Sequence, residues 1–198
     1  MGCDIHLYCE KYNEKDKKWI SADRLKLNEY YGKYEDENQY SIVHLYDDRN
    51  YALFGVLAGV RNYYDNECIS EPKGLPDDIC EFVKNEAEYW DGDGHSHSYF
   101  TAKELFDWQK EHSTTNYSGM ISPENQLKLD KEGITPTSWC QWTNQENWKY
   151  REWTEPNCVL DHLIKKVKDR MEEEFWIFKD EDYEKYAENF RIVFWFDN

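Results

Sequence analysis

The sequence predicts an α+β fold, a mainly antiparallel sheet with helices packed on it, and three features carry that prediction. Residues 3–10 alternate strictly between apolar and polar side chains. The chain closes on Phe190–Asn198, a run of aromatic and β-branched residues suited to a strand buried on both faces. Between the two lie stretches with helical spacing of their apolar residues. Strands, then helices, then a closing strand describe an α+β domain in which the terminal strands are natural partners. The 198 residues suffice for a single domain, 1–198, with a full core.

In the first strand, Cys3, Ile5, Leu7 and Cys9 fall on one side and Asp4, His6, Tyr8 and Glu10 on the other. Asn13–Lys18 reads as a polar turn, and Trp19-Ile20-Ser21-Ala22 as the return arm of a hairpin. Asn28–Tyr40 mixes Tyr, Glu, Asp and Asn without a period and is expected to be a long loop. From Arg49 to Val60 the chain is apolar nearly all round, which predicts a buried helix; Gly55 and Gly59, four apart, would let another backbone approach. Leu75-Pro76-Asp77-Asp78 should open the next helix, with Pro in its first turn and acids at the positive end of its dipole. Two glycines in Asp91-Gly92-Asp93-Gly94 mark a tight turn. After His95-Ser96-His97-Ser98, Thr101-Ala102-Lys103-Glu104 has the form of a capping box, so a helix should start near Thr101. Residues 113–156 are polar, Trp-rich and without a clear period. The longest helix is expected from Pro156-Asn157, with Leu160, Leu163, Ile164, Val167, Met171 and Phe175 facing inward.

Composition limits the functional classes. The 41 acidic and 24 basic residues leave a net charge of −17, which disfavours nonspecific binding to nucleic acid or to an anionic membrane. No segment approaches the length of a membrane span. Six cysteines without a CxxC pair argue against a zinc knuckle. The opening Met-Gly-Cys-Asp has neither a charged nor an apolar leader region, so a cytoplasmic protein with free, mostly buried thiols is expected. There is no Walker motif and no Rossmann fingerprint.

Two short pairs stand out chemically. Asp4-x-His6 and His95-x-His97 each place two ligand-type groups at i, i+2, the spacing that aims both to one side of a strand. If the pairs converge, Asp4, His6, His95 and His97 supply the ligands of a divalent metal such as zinc or manganese, with Asp91 a further ligand. The same four are then the candidate catalytic groups, with His95 or His97 as general acid or base. A metal-free alternative is an anion cradle, in which Ser96 and Ser98 sit beside the helix that starts near Thr101. Arg49, Arg61 and Tyr8 would line the same space. The plainer alternatives are a half-buried strand with a wet polar side, a hydrogen-bonded turn and surface salt bridges.

These residues also carry a resemblance. Met-Gly-Cys-Asp-Ile-His at the start, Arg49–Phe54 with Leu57–Arg61, Gly74-Leu75-Pro76, Gly94-His95-Ser96-His97-Ser98 and the terminal Val193–Asn198 together resemble a family of small uncharacterised bacteriophage proteins. The match runs from end to end, with little from 113–156. The family usually carries Trp after His-Ser-His-Ser, where this chain has Tyr99. The resemblance implies a phage origin and action inside the infected host cell, where phage proteins of this size often counter host defence. The first expectation is therefore an accessory protein whose Asp/His pocket binds, and hydrolyses with a metal, a phosphate-bearing small molecule such as a nucleotide signal. The second is sequestration of that nucleotide without turnover. The third is an acidic DNA mimic or host-factor inhibitor. A homo-oligomer is compatible with all three.

Overall fold

The structure, a computed structural model, describes residues 2–33, 38–90, 92–179 and 182–198. It forms two compact units, one from Met1–Arg49, Pro72–Asp107 and His162–Asn198, the other from Asn50–Glu71 and Trp108–Asp161.

The first unit is built on an antiparallel sheet of four strands: β1 (Asp4–Asn13), β2 (Lys18–Ser21), β5 (His95–Thr101) and β8 (Phe190–Asp197), in the order β2-β1-β8-β5. The terminal strands pair as expected, with Ile5 opposite Phe196, Leu7 opposite Phe194 and Cys9 opposite Ile192. Residues 190–196 are buried throughout, because β8 is central in the sheet and covered on both faces. The even-numbered residues of β1 share a face with Arg191, Val193, Trp195 and Asp197. Helix α2 (Glu81–Tyr89) lies on that face, where Val83 and Ala87 join Tyr8, Val193 and Trp195 in one core cluster. On the opposite face, helix α5 (Asp161–Phe175) reaches β1 through the Lys11–Glu174 ion pair and β8 through Phe175 against Phe190.

Both helices begin later than the sequence predicts. Pro76–Ile79 forms a turn closed by the Ile79 N–H on the Pro76 carbonyl, and α2 starts only at Glu81. Asp78, expected within the helix, instead holds Arg191 and Trp19. Likewise Cys158–Asp161 is a turn before α5. Two short strands went unpredicted: β3 (Arg24–Leu27) and β4 (Tyr40–Val43) pair around the expected loop, of which residues 34–37 lie outside the described set.

The capping box is present. The Glu104 N–H donates to Thr101 Oγ1 at 3.2 Å and the Thr101 N–H to Glu104 Oε2 at 2.7 Å, just before α3 (Ala102–Glu111). Thr101→Ala is expected to cost about 1 kcal/mol. In a thermal melt that is a Tm lower by about 2–4 °C for a chain of this size.

The second unit holds the predicted buried helix, α1 (Tyr51–Ala58), capped by the Asn50 side chain and ended by Gly59 in the left-handed conformation at φ 68°. Gly59 is thus a helix stop. Gly55 is the close approach: a Cβ there would lie 2.6 Å from the Asn62 side chain. The region left unassigned by sequence contains β6 (Thr115–Ile121), α4 (Pro123–Glu132) and β7 (Lys149–Glu155), with β6 and β7 antiparallel. The first unit is completed by the short α6 (Tyr183–Tyr186) before β8.

Candidate functional site

The sheet face under α2 carries the polar side of β1 as four rows. Asp4 faces Asp197, His6 faces Trp195, Tyr8 faces Val193 and Glu10 faces Arg191. β5 lies on the far side of β8, where Tyr99 is opposite Val193 and Thr101 opposite Arg191. A regular β5 would bring His95 and His97 onto one face. It is not regular: the register slips between His95, opposite Phe196, and Ser98, opposite Phe194. Three steps on β5 match two on β8, which is a bulge, and Ser96 takes it up at φ +54°. His95 therefore falls on the face of Phe196, with ring centroids 6.1 Å apart, and His97 on the face of Trp195, stacked at 5.5 Å.

The four expected ligands do not converge. His6 and His97 flank the Trp195 indole, and their strands are separated by β8, about 9–10 Å from β1 to β5. Two ligands sharing a zinc ion stand only about 4 Å apart. His95 is on the other face of the sheet. Asp91 lies outside the described residues, and Asp93 is exposed in the turn. No group of three or more His, Cys, Asp or Glu side chains suited to a metal ion occurs among the described residues. The residues thus do not fit a shared metal centre.

Most of the described candidates have a structural partner instead. Arg49 grips Asp4 with two hydrogen bonds, Nε to Oδ1 at 2.8 Å and Nη2 to Oδ2 at 2.6 Å, which holds the Asp4 carboxyl below its usual range. Gly2 makes room, since a Cβ there would collide with the Arg49 guanidinium. His6 Nε2 lies 3.1 Å from Asp197 Oδ2, and its ring rests on Trp90 at 4.0 Å. Burial, then the neighbouring His95, lowers the pKa of His97. His95 Nδ1 is 3.0 Å from Ser96 Oγ, and its buried Nε2 has no hydrogen-bond partner among the described residues. Ser98 is fully buried, and its hydroxyl accepts the Lys73 N–H at 3.3 Å, so the Lys73–Gly74 loop fastens along β5 where an anion was expected. The buried Tyr8 hydroxyl donates to Glu86 at 3.0 Å; burial first, and that carboxylate second, hold the phenol far above its usual range. Arg61 belongs to the second unit and donates to the Tyr63 hydroxyl.

The residues that organise this face were not singled out by sequence. Asp197 accepts the Asp4 N–H and holds His6. Deeper in, Arg191 Nε donates to Glu10 Oε2 at 2.5 Å and Nη1 to Asp78 at 2.7 Å, with Glu10 and Arg191 nearly inaccessible. Glu10 also accepts the Cys80 N–H at 2.7 Å, capping α2 from the sheet, because Cys80 offers no side-chain cap of its own. The opposite charges at 10 and 191 on paired terminal strands were the available signal. The cysteines are free, and burial pushes the Cys9 thiol up and that of Cys80 to about 12, away from nucleophilic use.

In the second unit, a cleft of about 390 Å³ is lined by Tyr63, Asp65, Asn116, Tyr150 and Glu152 among others. Two carboxylates and, among the described residues, no lysine or arginine line it, so it suits a phosphate poorly. No helix among the described residues is long and apolar enough to cross a membrane. No protein-family model, curated protein or solved structure matches the chain.

Proposed function

We propose that the protein is an acidic, non-catalytic binding protein that engages a positively charged surface on a partner protein, a host factor if the chain is of phage origin. The observation that carries this reading is the charge surplus. If each of the 24 basic residues neutralised one of the 41 acids, 41 − 24 = 17 carboxylates would remain. Many cations are in such pairs: Arg49 with Asp4, Lys73 with Glu104, Lys103 with Asp107, Lys128 with Glu124 and Lys165 with Asp169. The surplus therefore faces outward as a field that attracts basic surfaces and repels phosphates. The separation of His95 from His97 by the Ser96 bulge, and of His6 from His97 by Trp195, favours binding over metal-assisted hydrolysis.

A DNA mimic should compete with DNA. Labelled duplex DNA held by oligolysine should be released on adding the protein, as read by fluorescence anisotropy at low salt. Retention of the duplex at a large molar excess of protein would contradict the reading.

A further inference from the structure

We infer that the outer edge of β2 docks an extended segment of a basic partner, which joins the sheet as a further strand; this rests on the acidic-binding reading above. In the order β2-β1-β8-β5, β2 ends the sheet, and no strand among the described residues pairs with its outer side. The Ala22 N–H bonds the Cys9 carbonyl at 2.8 Å, which makes 9/22 a hydrogen-bonded pair. The register continues as 10/21, 11/20, 12/19 and 13/18, and in an antiparallel ladder bonded and non-bonded pairs alternate. Trp19 and Ser21 fall in the non-bonded pairs. Their backbone N–H and C=O groups thus turn away from β1 and outward.

What they meet is a groove of about 630 Å³, with β2 as one wall and residues 78–85 as the other. Ile79 and Phe82, each packed on the core cluster by one side, offer apolar surface. The exposed Glu81 adds a carboxylate at the start of α2, while the oxygens of Asp78 accept from Arg191 and Trp19. Lys18, at the exposed first position of the strand, is the one cation on this lining among the described residues. Four residues of strand span about 13 Å. Main-chain bonds to Trp19 and Ser21 would supply affinity, and alternate side chains the selectivity. An occupant with apolar residues toward Ile79 and Phe82 and Lys or Arg toward Glu81 matches this lining. Short edge strands bearing a lysine are often ones protected from pairing. Here the open groove beside the edge carries the exposed Glu81, which favours a strand with a basic residue at that point.

The test uses a labelled heptapeptide of alternating lysine and valine, its analogue N-methylated throughout, and a random-coil oligolysine. The full chain should bind the heptapeptide, and N-methylation should weaken binding at least tenfold, because it removes the main-chain donors and keeps the charge. Glu81→Lys should weaken it severalfold. Hydrogen exchange on the wild-type protein should slow at the Trp19 and Ser21 amides when the heptapeptide is bound. If the methylated peptide binds equally well, or those amides exchange unchanged, the edge site is overturned while the acidic-binding reading stands. If oligolysine also fails to bind, the underlying reading falls and takes the edge site with it.

Discussion

Arg191→Met is expected to destabilise the protein by about 3–5 kcal/mol, because it leaves Glu10 charged and unpaired inside the sheet face. Arg191 is 4% exposed and Glu10 fully buried, so water cannot replace the lost partner. The guanidinium also lies 4.0 Å over the Trp19 ring and binds Asp78, so one residue ties β1, β2, β8 and the approach to α2 together. Glu10→Leu with Arg191→Met should recover much of the loss, since replacing both partners of a buried pair is far cheaper than removing one. Denaturant unfolding of the two single variants and the double supplies the coupling. A single-variant cost below about 1 kcal/mol would show that the pair is solvated and not structural.

The second large effect concerns pH. Asp23 accepts the Cys9 N–H at 3.1 and 3.2 Å just past β2, and burial pushes its carboxyl up to about 7, opposed by that hydrogen bond and by the Arg170 charge. An acid raised in the folded state keeps its proton there while the unfolded chain has lost it. The unfolded state then binds fewer protons, and stability falls as pH rises from about 4 to about 7. At most this amounts to about 4 kcal/mol, from three units at 1.36 kcal/mol each. Asp4, held low by Arg49, works in the opposite sense below pH 4, so the two act in separate windows. Asp23→Asn keeps an acceptor for Cys9 and removes the ionisation. It should flatten the loss between pH 4.5 and 7.5 relative to the wild type and be as stable or more stable at pH 7.5. Parallel pH profiles for the two proteins would contradict the assignment.

The parts of the fold legible in the sequence were those set by local period. The alternation of residues 3–10, the closing apolar run and the Thr101/Glu104 spacing each need only neighbours along the chain, and each appears where expected. The polar side of β1 was legible as a pattern but not as an environment. Its Tyr8 and Glu10 are covered by α2 and answered by Glu86 and Arg191, partners 78 and 181 residues away. The His95/His97 pair misleads for a different reason. The i, i+2 rule assumes a regular strand, and a bulge at a serine with positive φ leaves no residue signature such as glycine. Leu75 and Pro156 read as helix starts, yet a turn closed by the Ile79 N–H on the Pro76 carbonyl precedes α2, and one closed by the Asp161 N–H on the Cys158 carbonyl precedes α5. In the unassigned region, Ser122-Pro123 and Gly133 do mark α4 at both ends, as N-cap with proline at the first turn and as a left-handed stop. The flanking β6 and β7 gain their identity from distant pairing, with each other and, at Met120, with Cys140.

On the proposed reading, charge and not an Asp/His centre carries the function. The measurement that tests it most directly is the affinity of the wild-type protein and of His97→Gln for labelled oligolysine over a salt series. Screening shortens the reach of charge from about 10 Å at 0.1 M salt to about 3 Å at 1 M. Both proteins should bind alike at low salt, and both should lose at least tenfold in affinity across the series. Salt-independent binding, or a loss confined to His97→Gln, would contradict the account and return the imidazoles to the centre of the function.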